Sequence, residues 1–261
     1  MDWNSLRLPS KKERKISLKG RVEKLLERKD KIGYKVAMGK LTLAINTASS
    51  QTSIALFEGE NLLTEKSWTS KNDEAEKIMP AIKKLLKKNK FSEIGKVIVV
   101  KGPGSFTGLR IGVTVANTIS YLNKCEIFGI DTCEYLWALL EDSQLENLEL
   151  KNLALLVFAG SKGVYVSQNI EPATKASLVN IPDLTDYLKA HGITKFFGDI
   201  SKEQKNILEE FEYLEIKKSF GEIMQKILAK IGQGILKPVP IVEPIYVKKP
   251  AITESKKNIF A

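Results

Sequence analysis

The stretch that most constrains this chain is VIVVKGPGSFTGLRIGVTVANTI, residues 97–119. Its opening residues are apolar and β-branched, the pattern of a strand covered on both faces. A loop with glycines at 102, 104 and 108 follows, then a helix with Gly112 in its interior. A glycine inside a helix destabilises it by about 1 kcal/mol relative to alanine, so glycines kept there point to a close approach by something else. Gly108, Gly112, Ala116 and Ser120 recur at every fourth residue as a smooth stripe, with Ile111, Val115, Ile119 and Leu122 as an apolar stripe beside it. One stripe is expected to cover the protein's own sheet and the small one to admit a second helix at short range. The spacing leaves open whether that helix is internal, for example TCEYLWALL, or belongs to another protein.

The loop excludes several chemistries. GPGSFTG fits neither G-x-G-x-x-G nor G-x-x-x-x-G-K-[ST], and Pro103 stands where a G-x-S-x-G elbow around Ser105 would need glycine. Ser105 or Thr107 reads instead as the N-cap of the helix. His191 is the sole histidine, which removes any histidine-pair metal site and leaves a Ser-His or Cys-His arrangement dependent on one residue. It follows a helix end, where it faces water or favours the negative helix terminus. Cys125 and Cys133, eight apart, match neither a disulfide framework nor a metal knuckle and read as reduced thiols. The longest apolar run, LALLVFA at 153–159, is too short to span a bilayer. No charged-then-apolar leader opens the sequence, and a cytoplasmic location is expected.

With 43% apolar and 28% charged residues, 261 residues suffice for one large domain or two lobes. The net charge of +10 is uneven: residues 1–40 hold 13 Lys/Arg against 5 Asp/Glu, leaving 28 against 26 in the remainder. Residues 1–40 therefore read as a basic, flexible arm with one short helix, suited to nucleic acid through charge alone. From Leu41 the pattern becomes regular. LTLAINT, TSIALFE and NLLTEKSW are three strands, and Gly59 suits the hairpin between the last two. NDEAEKIMPAIKKLLKKN is a helix with Ile78, Ile82, Leu85 and Leu86 on one face and Pro80 within it. KVIVV, the glycine helix, EIFGI and the helix TCEYLWALLED complete a first lobe over 41–142. After the polar break SQLENLELKN, strands LALLVFA, GVYVSQN and KFFGD alternate with helices near DLTDYLKA, SKEQKNILEEF and FGEIMQKILAKIGQGI in a smaller lobe over 143–250. The proline-rich end of that segment runs into solvated, unstructured residues at 251–261. The pattern is that of a mixed α/β, two-lobed protein.

The runs LTLAINTASSQTSIALFEGE, EAEKIMPAIKKLLKK and KGPGSFTGLRIGVTVANTISY, with VEPIYVKKP near the end, closely resemble the TsaB (YeaZ) family over roughly residues 41–250. The family supports formation of threonylcarbamoyladenosine beside the anticodon of tRNA. The resemblance implies an actin-like ATPase (ASKHA) fold of two ribonuclease-H-like lobes, the second reduced. It implies a non-catalytic subunit that docks through first-lobe helices on a TsaD-like transferase, alongside a TsaE-like ATPase. ATP and a metal ion belong to the wider complex, tRNA is reached through the complex and the basic arm, and a homodimer stays open. The interface residues it implies are Gly104, Ser105, Phe106, Thr107, Gly108, Arg110, Gly112, Ala116 and Ser120, and the segment 72–88 is expected to join them. Asn46, Thr47, Ser49 and Ser50 fall on a vestigial nucleotide loop. Asn46 replaces the usual acid, Glu74 the usual histidine, and Ala159, Gly160 and Ser161 stand where the family has Asp-Ala-Arg, so nucleotide hydrolysis by this chain is not expected. The alternatives from residues alone are a free-standing nucleotide- or RNA-binding module and a peptidase using Ser105 or His191.

The excess charge of the arm sets a first expected outcome. Deleting residues 1–37 leaves folding intact and weakens salt-sensitive retention of tRNA, because each neutralised phosphate releases counterions and steepens the salt dependence. Filter binding between about 50 and 200 mM salt measures it. Equal retention by full-length and truncated protein would remove the arm from nucleic-acid binding.

Overall fold

The computed structural model describes residues 39–69, 73–140, 150–159, 163–168 and 176–247. The basic arm, Gly160, Ser161 and the expected tail at 251–261 lie outside the described residues. Strands β1 (Leu41–Asn46), β2 (Gln51–Glu58) and β3 (Asn61–Thr69) form an antiparallel meander. Gly59 makes the β2–β3 turn with φ of 61°, a backbone state that side chains disfavour. Helix α1 (Glu74–Leu86) crosses to β4 (Ile94–Val100), α2 (Phe106–Asn123) to β5 (Glu126–Ile130), and α3 (Thr132–Trp137) follows. β4 lies parallel to β1, and β5 parallel to β4, giving the order β3-β2-β1-β4-β5.

The chain then repeats the plan. β6 (Leu153–Phe158), β7 (Gly163–Gln168) and β8 (Ser177–Asn180) form a second meander. Helix α4 (Leu184–Ala190), β9 (Lys195–Asp199), α5 (Lys202–Ile207), β10 (Glu212–Tyr213) and α6 (Phe220–Gly232) complete it. The order β8-β7-β6-β9-β10, again with the first strand central and the last two parallel to it, matches the first sheet position for position. These are two ribonuclease-H-like lobes of an actin-like ATPase fold. Among the described residues the second is reduced in the length of its parts: its first two helices have 7 and 6 residues where the first lobe has 13 and 18. Strands β8 and β10, four and two residues long, are absent from the sequence reading; β10 follows directly on the segment read as one continuous helix, SKEQKNILEEF.

Both faces of the first sheet are covered, as the continuous apolar runs of β1 and β4 require. Leu43, Ile45, Ile54, Val97 and Val99 point to α1 and α2; Ala44, Phe57, Ile98 and Val100 point the other way. On that second face the lobes meet. α3 packs on β6, and α6 returns from the second lobe to pack on β2 and β3. Trp137, Phe197, Tyr135, Phe220, Met224 and Ile227 join both sheets into one core, with Trp137 edge-on to Phe197 at 4.9 Å. Such an aromatic pair adds about 0.5–1.5 kcal/mol beyond the area it buries. Glu65 fixes the start of α6 by accepting the Gly221 N–H at 2.7 Å, and Lys226 donates to the Ala138 carbonyl at 3.1 Å.

The proline-rich segment before residue 248, read as the end of the second lobe, packs on the first. It is irregular yet fastened to the first lobe. Val239 N–H donates to Ile127 O and Ile245 N–H to Lys101 O, while Asn117 both donates to and accepts from the backbone of Val242. Val242 itself is buried against Gly129. Prolines leave this stretch fewer donors, and Val239, Val242 and Ile245 give theirs to the first lobe.

The glycine stripe of α2 has a different neighbour from the one expected of it. Gly108, Gly112 and Ala116 are buried within the protein, facing the turn after β1. A Cβ at Gly108 would overlap the Thr47 carbonyl oxygen, and one at Gly112 would overlap the Thr47 hydroxyl. That hydroxyl is pinned, donating to the Gly108 carbonyl at 2.7 Å. Ser120 is also engaged internally, donating to Cys125 O. Gly108, Gly112, Ala116 and Ser120 therefore form no face for an outside helix; the stripe admits a backbone turn of the same lobe. Gly108→Ala should lower stability by about 1–3 kcal/mol, since overpacking against a fixed carbonyl outweighs the roughly 1 kcal/mol gained in helix propensity. Thermal melting should fall by about 2–4 °C per kcal/mol in a protein of this size. An unchanged melting temperature would show that the turn yields.

Candidate functional site

Two places gather the residues singled out by sequence: the turn after β1, and the outer face of α2. The turn follows from its short polar side chains. Asn46 accepts the Ala48 N–H at 2.9 Å and donates to Ser49 Oγ at 3.0 Å, so it closes the turn upon itself. Ala48 O accepts from Ser105 N–H at 2.8 Å, which ties the glycine loop down. A Cβ on Gly104 would overlap the same carbonyl. Ser105 caps α2 as expected, its hydroxyl accepting from Gly108 N–H at 3.2 Å. Ser50 donates from both its backbone N–H, at 2.8 Å, and its hydroxyl, at 2.5 Å, to the carboxylate of Asp199 at the end of β9.

Asn46, Thr47, Ser49 and Ser50 are thus brought together between the start of α2 and Asp199. The adjoining cleft between the lobes, lined by Asn46, Ser53, Tyr135, Asp199 and Lys218 among others, encloses about 190 Å³. Small-molecule sites begin near about 300 Å³. As it stands the cleft is smaller than that range. Burial pushes the Tyr135 hydroxyl well above its ordinary range; the charge of Asp199 adds to this, and hydrogen bonding with Asn46 opposes it. Asp199 carried no signal in the sequence beyond being the polar end of the strand KFFGD, although strand carboxyl ends are where clefts form in such sheets.

On the outer face of α2, Thr107 and Arg110 are exposed, and Gly104, Ser105 and Phe106 are half-buried. Arg110 lies over the Phe106 ring at 4.0 Å and donates through Nε to the Tyr246 hydroxyl at 3.3 Å, with Phe106 and Tyr246 5.0 Å apart. Farther along the helix, the apolar stripe expected in the core divides: Ile119 is buried, Ile111 and Val115 are half-buried against the core, and Leu122 is left at the edge of an open groove. Val115, Ile119 and Leu122 of α2 face Met79 of α1 and Phe91 across about 410 Å³ of almost wholly apolar space. Leu122 is 70% exposed, Met79 42%, and the adjacent Tyr121 83%. Met79 and Phe91 went unnoticed in the sequence because the apolar face of α1 is carried by Ile78, Ile82, Leu85 and Leu86, which are buried.

The remaining candidates have local roles. His191 is exposed at the C-cap of α4, its Nδ1 2.7 Å from Tyr187 O and its ring stacked on Tyr187. Cys125 and Cys133 are buried and free. Burial, with the Asp131 charge adding to it, pushes the Cys133 thiol up to about 12. Among the described residues no cluster of histidine, cysteine and acidic side chains is suited to a metal ion, and no helix is long and apolar enough to cross a membrane.

Comparison with known proteins agrees with this layout. A family profile described as "TsaD: tRNA N6-adenosine threonylcarbamoyltransferase" matches residues 69–187. The protein named "tRNA threonylcarbamoyladenosine biosynthesis protein TsaB" from Buchnera aphidicola subsp. Schizaphis graminum is 29% identical over 161 residues, 58% of this chain and 74% of that one. Its namesake from Bacillus subtilis is 35% identical over 98 residues, 37% of this chain and 43% of that one. YeaZ from Pseudomonas aeruginosa shares the fold with a TM-score of 0.55 at 17% identity, covering 79% of this chain and 99% of that structure. In sequence over part of its length, and in fold, the chain is similar to the TsaB (YeaZ) proteins.

Proposed function

We propose that this chain is a non-catalytic scaffold subunit in the formation of threonylcarbamoyladenosine in tRNA, docking on a TsaD-like transferase with a TsaE-like ATPase in the same machinery. The TsaB relatives carry the pathway in their names. The observation that carries the docking is the apolar groove between α1 and α2, which leaves Met79 and Leu122 open to solvent. Covering such a surface is a driving force for association. The partner-facing residues are then Val115, Thr118, Leu122 and Met79, with Thr107 and Arg110 at one end. A cytoplasmic location accords with work on tRNA. ATP and metal are assigned to the other subunits, and tRNA is met through the complex.

A peptidase reading draws no support from the geometry. Ser105 serves as a helix cap and His191 is held against Tyr187 on α4 of the second lobe.

Two outcomes test the proposal. Leu122→Glu and Val115→Asp should leave the melting temperature within a few degrees of wild type and abolish co-elution with a TsaD-like subunit, since a charge would be desolvated in the contact. Retained co-elution by both variants, with the fold intact, would move the interface elsewhere. The purified chain alone should neither transfer threonylcarbamoyl to tRNA nor cleave peptides. Turnover lost on Ser105→Ala or His191→Ala would sink the scaffold reading.

A further inference from the structure

Strand β3 sorts its charges by face. Glu65 and Ser67 lie on the side packed by α6, where Glu65 accepts the Gly221 N–H and Ser67 meets Ser53. Lys66 and Trp68 lie on the other side, toward α1, with Trp68 packed against the core beneath that helix. Between β3 and α1 they line an open pocket of about 390 Å³, whose far wall is Lys77, Pro80 and Lys84. That volume falls within the range of small-ligand sites, about 300–1,000 Å³. The pocket and the docking groove occupy opposite flanks of α1: Met79 lines the groove, Lys77 and Lys84 the pocket.

The charge of this flank is one-sided. Glu76 stands alone among the described lining residues as a carboxylate against Lys66, Lys77 and Lys84. Exposed Lys83, Lys87 and Lys88 carry the positive ridge past the helix end. Of these six cations, Lys77 alone pairs with a carboxylate among the described residues, that of Asp73. Lysines in a last turn favour the negative helix terminus, yet Lys66 comes from another element and Lys77 from near the helix start, so that effect does not account for the cluster. Trp68 adds an aromatic wall with Lys66 Nζ 5.5 Å from its ring centroid. Its indole N–H is buried and has no acceptor among the described residues. A buried donor left unpaired is destabilising, and an acceptor entering from the pocket relieves it.

We propose that this flank binds single-stranded RNA, with phosphates along the lysines of α1 and one unpaired base against Trp68. Cations that track a backbone beside an aromatic ring hold single strands with little regard to sequence. A duplex keeps its bases stacked inside and offers none to the pocket. An acidic peptide would neutralise the lysines and leave the ring unused. The proposal rests on the tRNA-modification reading and gives this chain an RNA contact of its own, on the side of α1 that docking leaves uncovered.

The test uses the full chain, so the contribution of residues 1–37 is the same in every variant. A fluorescein-labelled RNA hairpin with an unpaired loop is titrated by anisotropy between about 50 and 200 mM salt, beside a fully paired duplex of equal length. Wild type should favour the hairpin. Lys66→Gln/Lys84→Gln, both at exposed positions, should flatten the slope of log affinity against log salt by about 1–2. Trp68→Leu should weaken hairpin binding at least about fivefold with the slope kept. If Trp68→Leu folds poorly, the lysine pair decides. Lys189→Gln/Lys202→Gln, on α4 and α5 of the second lobe, should leave the slope closer to wild type. Equal flattening by both lysine pairs, equal binding of hairpin and duplex, or uptake of a glutamate-rich peptide with the same dependence on Trp68 overturns the proposal. Such a failure leaves co-elution through the α1–α2 groove standing, and lost co-elution leaves these titrations unchanged.

Discussion

The seat of α2 on Thr47 sets the rest of the first lobe. A helix that presents Gly108 and Gly112 to a backbone carbonyl and a pinned hydroxyl has one rotation about its axis open to it. With that rotation fixed, Val113, Ala116 and Ile119 enter the core, and the residues a quarter-turn away, Ile111 and Val115, are left half-covered. Asn117 then points at the returning C-terminal segment, and Arg110 at Tyr246. Groove, strap and capped loop are all consequences of how closely two pieces of backbone approach. Van der Waals attraction falls off steeply with separation, so a side chain inserted at this contact would disturb each of them.

The repeated sheet order gives the two lobes the same plan but not independence. Each lobe sends its third helix into the space between the sheets: α3 against β6, and α6 against β2 and β3. The apolar surface so buried belongs to neither sheet alone. Two lobes that complete each other's core in this way behave as one cooperative unit, unlike domains joined by a small polar interface.

Much of this was legible in the sequence, and the misreadings have physical causes. Strands β1, β4 and β6 announce themselves because a strand covered on both faces needs a continuous apolar run. The N-cap at Ser105 is readable because the cap chemistry is local. The glycine stripe is readable as a close approach but not as to what approaches, since a small side chain leaves room equally for a helix or for a turn sixty residues earlier. β8 and β10 are too short to carry a period, and their pairing is decided by the neighbouring strands. Asp199 is a lone acid in the sequence; its meaning arises from Ser50, which only the three-dimensional fold brings near. The prolines of 238–244 give no sign of which lobe they pack on, since a proline-rich stretch is already extended and loses little freedom wherever it docks, here along a sheet edge and a helix of the first lobe.

That docking reverses the usual relation between birth order and completion. Val242, Ile245 and Tyr246 leave the ribosome after the whole second lobe, yet they finish the first by bonding to Ile127's neighbourhood, Lys101 and α2. Domains generally fold in the order in which they are made. Here the earlier-made lobe stays unsealed along β5 and α2 until some 110 further residues have been added, counting from Ile130 to Val242. Until then Ile127, Lys101 and Asn117 lack the partners that close them in the finished protein, so loss of the last described residues would be felt far upstream, along β5 and α2.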